Sequence, residues 1–215
     1  MDFDIKLAQE YAKKAKTFVA NGGIFNKEAH LGAGKEGDVY AYGNAVAKRL
    51  LRLRYFDKGY FDTIMERSAK GIEKGLDFAP AIDYLIGDIN SYLFMPRLFG
   101  PTINQCTLED LEQVGTRGFE RYFEVYKELT DIELYPDTVS DNNFMITKAD
   151  NGDSHISCID CRLSYLRFDE YKTERQKFMP SLRVITQQIE ALPHGKLHES
   201  LLQDAKKAYN KVIGS

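Results

Sequence analysis

Lys48, Asp137, Asn142 and Asp160 are the residues whose types and order could move a phosphoryl group. That chemistry needs backbone amides over the phosphates, a cation on their oxygens, oxygen ligands for a divalent metal, and a carboxylate beside the attacking hydroxyl. LGAGKEGDVYAYGNAVAKRL, residues 31–50, offers the first two. Gly32, Gly34, Gly37 and Val39 fit G-x-G-x-x-G-x-V in a strand–turn–strand setting, whereas a dinucleotide fingerprint would open a helix. Lys48 lies in the strand-like AVAKRL, where an inward lysine is costly unless it meets an anion. Glu66, 18 residues on, is the first choice of partner to hold it, and Glu73 the second.

Three further segments offer the remaining groups. In YLFMPRLFGPTI, Met95 to Leu98 is the candidate hinge whose backbone would receive an adenine edge, although Pro96 has no N–H to give. In LYPDTVSDNNFMI, Asp137 stands five residues before Asn142, the D-x-x-x-x-N spacing that sets a base beside a metal ligand. Asn143, directly before the apolar FMI, competes with Asn142, while Asp141 sits too close to either Asn to replace Asp137. In ISCIDCRLSYL, Asp160 follows an apolar strand 23 residues past Asp137, where a second metal-binding acid would stand. A glycine-rich hairpin, an exposed Lys with a Glu, or a polar turn would account for any one of these signals; their order along the chain is what combines them.

The elements that must position these groups follow from periodicity. Residues 4–20 carry Ile5, Leu7, Ala8, Tyr11, Ala12, Ala15, Phe18 and Val19 at helical spacing, with Gly22 and Gly23 as the stop. Short strands then flank a turn at Tyr42-Gly43-Asn44. Residues 60–76 return to helical spacing, with Asp62 as the expected cap and Ile64, Met65, Ala69 and Ile72 as the expected buried stripe. AIDYLIGD and NSYLFMPRL complete a small sheet with that helix inserted after its third strand. Residues 107–131 read as two helices broken near Gly115 or Gly118, with a capping signature at Thr107 and Asp110. A hairpin across Asn151-Gly152 follows, then helices over 169–192 and 196–212.

Bulk properties narrow the classes. The chain has 215 residues, 43% of them hydrophobic, including 13 Phe and 13 Tyr, enough to bury a core in one domain built as two lobes. A net charge of −3 argues against a general nucleic-acid binder. Cys106, Cys158 and Cys161 are too few for a disulfide framework, and the lone C-x-x-C lacks the second ligand pair of a zinc site. No run of 18 apolar residues predicts a membrane span, and MDFDIKLAQEYAKKAKTFVA does not read as a Sec-type signal. The expectation is a reduced, cytoplasmic protein, with delivery into another cell by a route without such a signal left open.

With these motifs in order, residues from about 28 to 165 resemble a protein-kinase-like fold. YLFMPRLFGPTI, and D-C-R in place of D-F-G, are similar to the very small kinases that bacteria inject into host cells as type III effectors. GKEGDVY also resembles the nucleotide loop of RIO-type atypical kinases, a kinship the catalytic loop does not support. The resemblance implies an α+β, bilobal fold: a small antiparallel-sheet N-lobe, about 24–97 after helix 4–20, and a reduced, mostly helical C-lobe, about 98–215. It implies ATP and Mg²⁺, held by Gly32, Gly34, Gly37, Val39, Lys48, Met95 and Leu98 for the nucleotide and by Asn142 and Asp160 for the metal, with Asp137, Lys48 and Glu66 in the catalytic set. It also implies Ser/Thr phosphorylation of a protein in a host cell, with the HSP90 chaperone one target class of such small kinases.

The chain departs from the family pattern in two places. Tyr135-Pro136-Asp137 replaces H-R-D, so no arginine precedes the base to meet a phosphorylated activation loop. No A-P-E follows Asp160, and roughly 55 residues remain for every later helix. A catalytically inactive partner-binding module, and an enzyme that transfers AMP or phosphorylates a small molecule, are the alternative readings.

Overall fold

Asp4 starts the first helix, accepting from the Lys6 and Leu7 amides that no helical carbonyl can reach. Helix α1 (Ile5–Ala20) buries Ala8, Ala12 and Ala15, and these small side chains let it lie close against Ala45, Ala47 and Phe94. In the computed structural model, which describes residues 4–33, 37–51, 56–138, 141–148, 152–163 and 174–214, the chain forms two compact units. The first runs to Gly75 and resumes over Ala79–Leu98; the second holds Leu76–Phe78 and the chain from Phe99 onward.

The first unit is built on five antiparallel strands: β1 (His30–Ala33), β2 (Gly37–Tyr42), β3 (Ala45–Leu50), β4 (Asp83–Ile86) and β5 (Ser91–Pro96), in the order β1-β2-β3-β5-β4. Alternation sends Ala45 and Ala47 to the α1 face. The register Val39↔Lys48↔Leu93 and Val46↔Met95 places those five residues on the other face. Helix α2 (Lys58–Glu73), inserted after β3 as expected, stacks Phe61 on Tyr84 of β4 with ring centroids 4.9 Å apart.

Two expectations about α2 need correcting. Its cap is Asp57, which accepts from the Tyr60 amide at 2.8 Å; Asp62 lies inside the helix and accepts from the Tyr84 hydroxyl at 2.7 Å. Of the expected stripe Ile64 is buried, but Phe61, Ser68 and Gly71 accompany it in place of Met65, Ala69 and Ile72. The early start includes Phe61 in the stripe and turns Ala69 to solvent.

Asp38 and Arg49, opposite each other on β2 and β3, form an ion pair. The hydrogen bond from Arg49 holds the Asp38 carboxyl below the usual carboxylate range. A group whose folded pKa is depressed stabilises the fold above its unfolded pKa and loses that contribution as pH falls through the folded value. Asp38→Asn therefore lowers stability by about 0.5–1 kcal/mol at neutral pH, a modest figure because the pair is partly exposed, and the gap closes as pH falls through the lowered folded value. Urea midpoints of the two proteins across that range check it.

In the second unit, α3 (Leu108–Asp131) opens with a capping box between Thr107 and Asp110, as read from the sequence. The predicted break falls at Gly115, whose φ of 59° and ψ of −179° interrupt the helix. Beyond α3 come β6 (Tyr135–Pro136), the hairpin β7 (Phe144–Lys148) and β8 (Ser154–Cys158), and β9 (Cys161–Arg162). Phe144 is fully buried and meets Tyr122 of α3 edge-on. Helices α4 (Glu174–Ala191) and α5 (Lys196–Ile213) complete the unit, with Phe123 of α3 packed edge-on against Tyr209 of α5. The hairpin tip expected at Asn151-Gly152 and the helix start expected at 169 fall partly outside the described residues. Among the described residues no helix is long and apolar enough to cross a membrane.

Candidate functional site

The groups of the first unit sit on the sheet face opposite α1. Lys48 is 9% exposed, beside Val46 and Met95, which are equally buried, with Val39 opposite it on β2. Keeping an ammonium at such depth is costly unless anionic charge compensates it. Glu66, the expected partner, is instead on the outer side of α2, where its carboxylate accepts from Lys70 at 2.6 Å. Glu73, the second choice, is exposed as well. The reason is the phase of α2: with Phe61, Ile64 and Ser68 turned inward, position 66 points outward.

The glycines divide by their surroundings. Gly37 has φ of 156°, and a Cβ there would lie 1.6 Å from the Arg49 carbonyl oxygen, so glycine is required for β2 to approach β3. Gly32 has nothing within 4 Å of such a Cβ and leaves open space over β1. Gly34 lies outside the described residues. At the candidate hinge, Met95 is buried and Leu98 half-buried, and the Arg97 amide donates to the Asn44 carbonyl at 2.9 Å. Neither Pro96 nor Arg97 therefore has an uncommitted N–H for a ligand.

The second unit gathers three of its expected groups. Strand β6 pairs with β9, Tyr135 opposite Arg162 and Pro136 opposite Cys161, which fixes the chain on either side of Asp137 and Asp160. The Asp137 amide donates to the Asp160 carbonyl at 2.9 Å. Asn143 Nδ2 donates to the Asp137 carbonyl at 3.1 Å, and the Asn143 carbonyl accepts from the Ile159 amide at 2.8 Å. Asp137, Asn143 and Asp160 are thus tied by backbone and side-chain bonds into one cluster.

Of the two asparagines, Asn143 is the one these bonds tie to Asp137 and Ile159. Phe144 is opposite Cys158 on the β7–β8 ladder, so Asn143 and Ile159 are the next pair outward and Asp160 follows directly. Asn142, the residue before it, is exposed. Its spacing from Asp137 is the more familiar one.

Arg162 was missed by the reading of motifs. Its Nη2 lies 2.5 Å from Asp137 Oδ2, and the Asp137 side chain is only 6% exposed. The signal available was the arginine of D-C-R itself, together with the absence of one before Asp137; only the β6–β9 register connects the two.

The donor set suits a hard cation. Asn143 Nδ2 is committed to Asp137, so its Oδ1 is the oxygen it could offer a cation, and the Asp160 side chain could add carboxylate oxygens. Among the described residues no group of three or more His, Cys, Asp or Glu gathers as a self-sufficient metal site. A cation bound at Asp160 and Asn143 would take further ligands from substrate oxygens and water, as Mg²⁺ commonly does. No protein-family model matches the chain, and no curated protein sequence matches it.

Proposed function

We propose that the chain is an ATP-dependent protein kinase that transfers the γ-phosphoryl group to Ser or Thr. The observation that carries this reading is the cluster of Asp137, Asn143 and Asp160, in which the backbones of the two aspartates are bonded to each other and the Asn143 side chain is bonded to the Asp137 carbonyl at strand ends. Asp160 and Asn143 would hold Mg²⁺, which would neutralise charge on the phosphate oxygens. Asn142 and Glu66 are given no role. Lys48 meets the phosphates, and Val39, Val46 and Met95 supply an apolar surface for the base. Asp137 accepts a hydrogen bond from the attacking hydroxyl and orients it.

Arg162 keeps that carboxylate in place. A salt-bridged aspartate is a weak base, but phosphoryl transfer passes through a loose transition state in which orientation outweighs basicity. Arg162→Ala lowers kcat about tenfold with little change in KM for ATP, and Arg162→Lys restores part of the loss; steady-state kinetics of the three proteins decide. The resemblance to small effector kinases makes a host protein the expected acceptor, with HSP90 among the candidates. Mass spectrometry of a eukaryotic lysate incubated with the chain and MgATP should find new phosphoserine or phosphothreonine. AMP adducts, a phosphorylated metabolite, or no modification would each replace the reading by one of its alternatives.

A further inference from the structure

Cys158 and Cys161 bracket Asp160, and the proposed phosphoryl-transfer chemistry uses neither. Their sulfurs are 3.4 Å apart. Cys158 is buried and ends β8; Cys161 is half-buried and opens β9. Cys158 Sγ donates to the Asp160 carbonyl at 3.3 Å, the same oxygen that receives the Asp137 amide at 2.9 Å. Cys161 stands opposite Pro136 on β6, and the next residue, Arg162, holds the Asp137 carboxylate. Among the described residues no third His, Cys, Asp or Glu joins the pair as a metal-binding group.

We infer that Cys158 and Cys161 form a reversible disulfide that unsets the Asp137–Asp160 contact. A disulfide needs its sulfurs at about 2.05 Å, so bond formation draws the two together by about 1.4 Å. The oxidant is hydrogen peroxide. Cys161, the more accessible, attacks the peroxide oxygen as its thiol proton leaves; the O–O bond breaks, giving a sulfenic acid and water. The Cys158 sulfur then displaces hydroxide from that sulfenic sulfur, its own proton leaving with the hydroxide as a second water. Two thiols are oxidised by two electrons and one peroxide is reduced; an external dithiol reverses the step by exchange.

Oxidation removes the Cys158 S–H that donates to the Asp160 carbonyl and pulls on the β9 residue adjoining Arg162. Cys106 is the internal control. Its buried thiol donates to the Ile103 carbonyl at 3.0 Å, and burial pushes its pKa up to about 12, which leaves it poorly reactive.

The regulatory consequence rests on the kinase reading; the disulfide does not. The full chain is treated with hydrogen peroxide, then analysed by intact mass, peptide mapping and amide hydrogen exchange, beside Cys161→Ser and Cys106→Ser. The expected results are a loss of about 2 Da mapped to the 158–161 pair and reversed by dithiothreitol. Exchange at the Asp137 amide should quicken, and γ-phosphoryl transfer should fall on the order of 10²-fold, as for a misplacement of about 1 Å. Cys106→Ser should behave like the wild type, while Cys161→Ser neither forms the bond nor responds to peroxide. Retention of both thiols overturns the inference, as does a disulfide that leaves Asp137 exchange unchanged. If the mass and exchange changes appear but even the reduced chain transfers no phosphate, the disulfide stands and the kinase reading fails.

Discussion

Asp137→Asn should lower γ-phosphoryl transfer by about 10²–10⁴-fold, the range typical of losing a positioned acid–base group. The substitution leaves an amide oxygen that can still accept from Arg162, and the Asp137 backbone bond to Asp160 is untouched. Arg162 is itself 37% exposed, so water can satisfy a guanidinium left without its carboxylate. The expected cost in stability is therefore under about 1 kcal/mol. ATP binding should be nearly unchanged, because Asp137 is assigned to the acceptor hydroxyl and not to the nucleotide. A fall in kcat with an unaltered KM for ATP and an unaltered urea midpoint is the combined result to seek.

The second large effect separates two adjacent residues. Asn143→Ala removes the bond that holds the Asp137 carbonyl at 3.1 Å and also the amide oxygen assigned to the metal. Turnover should drop by about 10²-fold or more, and the Mg²⁺ concentration for half-maximal rate should rise. Asn142→Ala changes an exposed side chain and should stay within about twofold of wild type. Magnesium titrations at saturating ATP make the comparison. The reverse order of effects would return the metal to Asn142 and require the strand ends to rearrange.

Much of the fold was legible from local pattern. Helix α1, the β2–β3 hairpin, the helix inserted after β3, and the capping box with its Gly115 break all follow from periodicity and turn chemistry. Where the reading slipped, the cause was phase or register. Asp57 and Asp62 are both competent caps by type, and only the burial of Phe61 fixes which one starts α2. That same phase turns Glu66 to solvent. Asn142 and Asn143 are adjacent and alike in type, and only the pairing of Phe144 with Cys158 shows that Asn143 lies beside the end of β8. Arg162 and Asp137 are 25 positions apart and meet through a two-residue ladder that no local pattern announces. The types of most site residues were thus readable, while the choice between neighbours depended on contacts distant in sequence.

The most direct test of the central claim is a paired transfer assay with α- and γ-labelled ATP, Mg²⁺ and a eukaryotic lysate, run for the wild type, Asp137→Asn and Asp160→Ala. The account predicts protein-bound label from the γ position only, abolished by Asp160→Ala and strongly reduced by Asp137→Asn. Label from the α position, or γ-label that survives both substitutions, would contradict it.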